Sequence, residues 1–499
     1  MLQTLKNAWN TKDIRSKILF TLLILVLYRI GTVIPVPFVE ANDFAGSLNG
    51  TILEYMNVLS GGALGTMTLF ALGVQPYINA SIIIQLLAVV FPSLGDMAKN
   101  DKKKMNFITR IVTVVLAVIT AIGYYFLLRN GNQAQGIETF LTHRAYNGDL
   151  AWLYGIVIVV CYTAGASLVM WLAERINERG IGNGISMILF ANIVAAVPSF
   201  VINLATLVVD TYGYPNNAWM YATVSTVFAV LLVAFLLALI AFVIFITGSE
   251  RRIPVQYAKK VVGRKMYGGQ SSNLPIKLNM TGVMPIIFAS SIVSFVPTIF
   301  QILESAGIVS DDKTPGWAKF ADIIGSEGVL YPIMLFVLII AFAYFYTQIS
   351  FDPIEVANNL KKQGGAITGI RQGRPTADFI KKILNKITLA GALFLGVIAV
   401  LPLILGPHVF RPLLEWIYEG AYNVEAFAEQ YMGWGLDYQT ALGLAESSVH
   451  SSAHSYAASL ASVFTFGGTT LLIVVGVAIE TFRELEAQLT MRNYKGFLN

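Results

Sequence analysis

His450 and His454, four residues apart, are the nearest thing in this chain to a metal-binding pair. Helical spacing puts both rings on one face, but the surrounding SSVHSSAHSY contains no third or fourth ligand. HExxH, Gly-x-Ser-x-Gly and GxxxxGK[ST] are all absent, and no pair of aspartates sits inside an apolar segment. Hydrolytic, metal-dependent and nucleotide chemistry therefore lack their residues. No enzyme activity, metal or cofactor is expected. The single cysteine, Cys161, lies in an apolar run and excludes an internal disulfide framework. The side chains left are of two kinds. Asn79, Gln85 and Asn279 are amides within or at the head of apolar segments, where a polar group is costly unless paired. Arg251, Arg252, Lys259, Lys260, Arg264 and Lys265 crowd one polar stretch, and Arg371 and Arg374 mark the next.

The elements that position them are membrane helices. Of the 499 residues, 56% are hydrophobic and 13% charged, against about 45–50% and 25% in soluble domains. Hydropathy predicts ten spans: 18–36, 67–91, 107–128, 151–173, 184–208, 218–247, 280–303, 329–349, 387–405 and 463–479. The basic start, MLQTLKNAWNTKDIRSK, has no small-residue cleavage site after the first apolar run and reads as a retained cytoplasmic arm. With the N-terminus inside, only Arg129, Arg144, Lys313, Lys319 and Arg411 of the 34 Lys and Arg are assigned to the outside. That asymmetry predicts cytoplasmic termini. Ten spans divide five and five around the loop 209–217. An odd number per half makes the second half enter from the opposite side, as an inverted repeat requires.

The stretch Gly50–Leu94 departs from this regularity. Ile52–Leu64 is too short to cross a bilayer that needs about 20 residues, whereas Met67–Phe91 is long enough. Between them, Ser60-Gly61-Gly62 permits a sharp reversal. A short helix, a hinge and a long helix describe either a re-entrant element or a loop helix at the interface.

SGGAL, FALGVQPYI and ASIIIQLL in this stretch resemble the SecY family of protein-conducting channels. ERGIGNGIS, ERRIPVQYAKK, FASSIVSF, NNLKKQGG, TGIRQGRPT and FGGTTLLIVV continue the resemblance in family order. It implies an all-α polytopic membrane protein: two inverted five-helix halves, 1–209 and 210–499, around a central pore with a short plug helix near 52–66. Its function would be to translocate unfolded secretory polypeptides and release hydrophobic segments sideways into lipid. The aliphatic ring that closes the pore maps to Val74, Ile78, Ile185, Leu189, Ile287 and Ile473. The plug maps to Tyr55, Ser60, Gly61, Gly62 and Leu64, with the glycines suiting an element held by few contacts. The lateral gate maps to Asn79, Gln85, Asn279 and Phe295, with a hydrogen bond across the seam holding it shut. The two basic loops become docking surfaces for the ribosome and the SecA ATPase, with Arg371 at the family's critical arginine. Further implied partners are SecE-like and SecG-like subunits, signal-sequence-bearing polypeptides and the lipid bilayer, in a cytoplasmic (inner) membrane.

Two segments depart from the family pattern. Phe38 follows Pro37 where the family tends to place glycine. The external loop 406–462 is unusually long, and RPLLEWIYEGAYNVEAFAEQYMGW within it suits either a helix at the outer interface or a solvated insertion. A small-solute secondary transporter would share the inverted halves. It needs a coupling carboxylate near midplane, and none is evident within the spans.

Overall fold

A computed structural model describes the chain from residue 2 to 495, apart from 41–43, 49–51, 132–138, 149, 213–217, 258–259, 263–264, 268–270, 306–327, 329, 422–423 and 435. In the first half, α1 (Leu2–Asn10) and α2 (Lys12–Gly31) lead to two short helices, α3 (Phe44–Ser47) and α4 (Ile52–Ser60). Then come α5 (Gln75–Val90), α6 (Pro92–Asn100), α7 (Lys102–Asn130), α8 (His143–Asn147), α9 (Ala151–Arg179) and α10 (Gly184–Tyr212). The second half opens with α11 (Ala218–Gly248) and strands β1 (Glu250–Tyr257), β2 (Lys260–Val262), β3 (Lys265–Tyr267) and β4 (Ser271–Lys277). It continues with α12 (Met284–Ser305), α13 (Leu330–Ser350), α14 (Pro353–Lys362), β5 (Gly365–Ile367) and α15 (Arg374–Leu405). A π turn (Gly406–Phe410) joins α15 to α16 (Arg411–Ala421), followed by α17 (Val424–Met432) and α18 (Tyr438–Lys495).

Seven helices among the described residues are long and apolar enough to cross a membrane, and α5 is a shorter apolar helix. With α2 and α18 they follow the ten expected spans in order. Three boundaries differ. The expected long helix over 67–91 begins only at Gln75, because Met67 and Gly73 take left-handed φ values of 49° and 54°. Pro76 then starts the helix. The preceding stretch can be irregular at depth because it is buried in protein. Val36 N–H donates to the Met67 carbonyl (3.3 Å) and Leu69 N–H to the Ile34 carbonyl (2.9 Å). α9 presses so close that a Cβ on Gly165 would lie 1.9 Å from the Leu69 carbonyl oxygen. The first span also ends early, at Gly31 rather than at residue 36. Phe38 then takes φ 68°, so a side chain occupies a left-handed position that favours glycine. Its ring rests on Tyr154, with centroids 4.5 Å apart.

The third difference is the long loop. It is neither one helix at an interface nor a loose insertion. Helices α16 and α17 pack on the first half of α18, a single 58-residue helix. Ala441, Ala445, Val449, Ala453 and Ala457 form a buried stripe along α18 at four-residue spacing. Small side chains there let the partner helices approach closely. His450 Nδ1 meets Glu419 (2.5 Å), His454 Nδ1 meets Glu415 (2.8 Å), and Arg411 reaches His454 Nε2 (2.6 Å). No group able to hold a metal ion occurs among the described residues.

We expect Gly165→Ala to destabilise the chain by about 1–3 kcal/mol or more through overpacking against backbone. Gly443→Ala should stabilise it by about 0.5–1 kcal/mol, since Gly443 is exposed in α18 with open space around its Cβ position. Thermal unfolding in detergent should shift in opposite directions.

Candidate functional site

The helix α4 sits at the meeting point of the two halves. Tyr55 and Leu59 belong to the same buried apolar cluster as Val74, Ile78, Ile185, Leu189, Ile287 and Ile473. Those six come from four helices and the residue before α5, and each is at most 7% exposed. One-turn spacing sets Val74 over Ile78 and Ile185 over Leu189. An aliphatic collar of this kind offers water no hydrogen bond, so an ion crossing it would shed its hydration shell.

The plug segment is shorter than the sequence predicts, since α4 stops at Ser60. Gly61 and Gly62 follow with φ of 71° and 89°. Leu64 lies in the turns beyond, fully buried in a second cluster with Met56, Leu72 and Tyr162. The expectation of few contacts is overturned. Side chains from α2 and α10 meet three successive carbonyls at the end of α4. Asn192 Nδ2 donates to Leu59 O (2.6 Å), Tyr28 OH to Ser60 O (3.4 Å) and Arg29 Nη1 to Gly61 O (3.1 Å). The reason is general: the last carbonyls of a helix have no intrahelical partner, and their negative end attracts a cation. Asn57 and Ser60 fold back on the turn, accepting from Gly65 N–H (2.7 Å) and Leu64 N–H (3.1 Å). Arg29 is the only charged residue between Lys17 and Glu40, a lone cation in an apolar run.

The expected gate residues separate. Asn79 and Phe295 both line a cavity of about 340 Å³ between α5, α7 and α12. Gln85 and Asn279 do not pair. Tyr346 of α13 donates to Gln85 Oε1 (2.5 Å), and Gln85 Nε2 donates to Ser81 (3.0 Å). Asn279 is buried with its Oδ1 unpartnered among the described residues. The helix α12 begins at Met284, which leaves Asn279 in the turn before it. A second contact across the seam joins Gln75 Nε2 to Ser294 Oγ (3.4 Å). Tyr346 was not legible in sequence. It rests against Phe288, whose ring centroid is 5.2 Å away.

The basic loops form a platform instead of two loops. Strand β1 pairs antiparallel with β4, from Glu250 opposite Lys277 to Gln256 opposite Ser271. On its other edge it pairs with β5, Val255 opposite Ile367. Ile253 and Val255 face inward onto Ile380, Leu384 and Ile387 of α15. Pro254, which has no N–H, falls just before the β5 pairing begins. Arg251, Arg252, Arg371 and Arg374 are exposed on this platform, and Arg252 pairs with Glu250 (2.8 Å). Thr376 Oγ1 donates to the Arg371 carbonyl (2.7 Å), fixing the loop that presents it. Lys260 and Lys265 are in the hairpin of β2 and β3, whose side chains are not described; Lys259 and Arg264 lie outside the described residues. Burial, and then the nearby Arg483, push the Lys277 ammonium below the ordinary lysine range.

Glu174 is the buried carboxylate of α9, just past the expected span. Arg110 of α7 holds it with two bonds of 2.9 and 2.7 Å, so it faces a guanidinium and not the collar.

The SecY family pattern matches residues 68–419, the stretch that contains the collar residues Val74 to Ile287 and both seam contacts. The chain belongs to the SecY family. Protein translocase subunits SecY of Streptomyces coelicolor and Mycobacterium tuberculosis are 38% and 37% identical to it, each over the full length of both chains. Among solved structures, it is similar to a protein-conducting channel (TM-score 0.55, 17% identity, 95% of this chain and 92% of that one). A canine Sec61 in a ribosome–channel complex gives a TM-score of 0.52 at 16% identity, with the same coverage. These likenesses give the fold: a polytopic, mostly helical membrane protein, which among the described residues also carries a three-stranded and a two-stranded sheet.

The Gln85–Tyr346 contact is testable as a pair. Gln85→Leu and Tyr346→Phe should each destabilise the purified chain, and the double variant should cost less than their sum by about 0.6–2 kcal/mol. Strict additivity would remove the contact.

Proposed function

We propose that this SecY family chain is the channel through which unfolded polypeptides cross a membrane, with a side exit for hydrophobic segments. The observation that supports this reading is that α4, too short to span, shares one buried apolar cluster with the six aliphatic residues of the proposed collar. A collar excludes ions by dewetting and still lets varied side chains pass, because it asks for no specific contact. The helix α4 acts as the plug that fills the pathway at rest. The seam of α5 and α7 against α12 is the lateral exit, held by the Gln75 and Gln85 contacts. Asn79 and Phe295 line the cavity at that exit, and Asn279 serves the turn that leads into α12. About 20 apolar residues at −0.3 to −0.6 kcal/mol each favour lipid by roughly 6–12 kcal/mol, so partitioning alone can sort spans from secreted chain.

In this reading the halves are 1–209 and 210–499, the membrane is the cytoplasmic one, and both termini and the basic platform face the cytoplasm. The platform's cations, Arg251, Arg252, Lys259, Lys260, Arg264, Lys265, Arg371 and Arg374, dock ribosomal RNA phosphates or an acidic motor such as the SecA ATPase. The relatives' name, protein translocase subunit, and the canine Sec61 seen in a ribosome–channel complex support that assignment. Small SecE-like and SecG-like subunits complete the channel. The transporter reading loses its support, since the buried Glu174 is taken by Arg110.

Two measurements test this. Ile78→Ser with Ile287→Ser should wet the collar and raise ion conductance in planar bilayers while the protein stays folded; unchanged conductance would refute the collar. Arg371→Glu should slow motor-driven export and leave resting ion tightness intact, because a surface charge reversal costs the fold little but turns an interface attraction into repulsion. Equal export rates at matched expression would remove Arg371 from the motor contact.

A further inference from the structure

The polar contacts at the end of α4 come from the first half alone, whereas its earlier turn meets both halves, with Leu53 and Met56 also packed among first-half apolar residues. The last carbonyls, those of Leu59, Ser60 and Gly61, are met by Asn192, Tyr28 and Arg29, all on first-half helices. Arg29 is itself braced, with Nη2 donating to Ala191 O on α10 (2.9 Å). Asn192 Nδ2 also reaches Tyr28 OH (2.8 Å), so those two side chains are linked, and with Arg29 beside them they make up a socket. The packing is tight, since a Cβ on Gly61 would lie 2.7 Å from Asn192 Oδ1 and 2.8 Å from Arg29 Nη1. One turn earlier the partners change. The Tyr55 hydroxyl is set against Ser290 of α12 and Thr469 of α18. The Met56 sulfur straddles the seam, accepting from Thr298 Oγ1 of α12 (3.5 Å) and Tyr124 OH of α7 (3.6 Å).

We infer that Arg29, with Asn192 and Tyr28, is a fixed pivot for α4. When the seam opens, the helix swings about its C-terminal end and does not leave as a whole. The inference rests on the reading of α4 as the plug. Moving α12 away from α5 and α7 separates Met56 from Thr298, and Tyr55 from Ser290. It takes nothing from the socket, because no socket residue is on α12 or α18. The socket bonds are also the stronger set. A guanidinium donates to a carbonyl in a part-buried site, whereas the Met56 contacts end on a thioether, a weak acceptor. Left without Gly61 O, the Arg29 charge would keep only one protein acceptor, so releasing that end costs more than releasing the other. Gly61 and Gly62, in left-handed conformations, bound the swinging element on the pivot side. Arg29 is thus a positioning residue for gating and makes no demand on the translocating chain.

The test compares the two ends of α4 in the full chain, in membrane vesicles, with Cys161→Ser removing the native thiol. Leu53→Cys reports the free end and Ser60→Cys the pivot; both positions are buried at rest, at 2% and 3% exposure. A membrane-impermeant maleimide is applied with the channel idle and then with a stalled translocating polypeptide inside. Occupancy should raise labelling at position 53 by about ten-fold or more and leave position 60 near its idle rate. A parallel rise at both positions overturns the pivot while preserving the plug. No rise at either overturns the plug reading itself, and the pivot with it. Arg29→Met should then bring position 60 up about ten-fold on occupancy, with a rise in resting ion conductance as a second readout. Position 60 still protected in Arg29→Met removes Arg29 from the role. If Arg29→Met does not assemble, Arg29→Lys keeps the charge but reaches one carbonyl where the fork reaches two. It should give labelling between parent and full exposure, and protection equal to the parent again removes Arg29.

Discussion

Inside a membrane every backbone N–H and C=O must find its partner within the protein. Most of this chain meets that demand with long helices. The stretch from Ile52 to Gln75 does not: a nine-residue helix is followed by turns through two glycines and two further left-handed residues. Its polar groups are satisfied one by one. Asn57 and Ser60 serve the turn, and Tyr28, Arg29 and Asn192 serve the helix end. Five polar side chains of the first half are therefore gathered on one irregular segment.

The same economy sets the strength of the seam. Across it, polar contacts are few and neutral: Gln75 to Ser294 and Gln85 to Tyr346. Each is of a kind worth about 0.6–2 kcal/mol in membrane helices. The platform on the basic side is built the other way, from seven paired residues between β1 and β4 and a further edge to β5. A backbone-paired sheet on the basic side thus contrasts with inter-helix contacts that are individually weak.

The order and approximate extent of the membrane helices were legible because hydropathy reports burial in lipid directly. The six collar positions were drawn only from resemblance, since Val74 or Ile473 looks like any other aliphatic residue in a span. What sequence reading missed depends on tertiary partners. Nothing local to Gln85 names Tyr346, 261 positions away. The late start of α5 follows from left-handed backbone at Met67, a residue type that seldom adopts it. Other signals were present and unread. Ile253 and Val255 alternate with polar neighbours as a strand should, and the alanines of α18 recur every four residues as a packed helix face should. Arg29 was visible as a lone cation in an apolar run.

The 58-residue α18 is about 87 Å long at 1.5 Å per residue, nearly three times the hydrocarbon thickness of a bilayer. It runs from the helical pack at Ala441 to the basic side, where Glu484 accepts from Gly182 N–H and Arg483 donates to Thr247 O. Ile473 of the collar lies roughly 52 Å from one end and 33 Å from the other. One continuous helix therefore joins the α16–α17 pack to the basic side through the level of Ile473, and a tilt of about 5° about that residue would carry its far end through roughly 5 Å while moving Ile473 little.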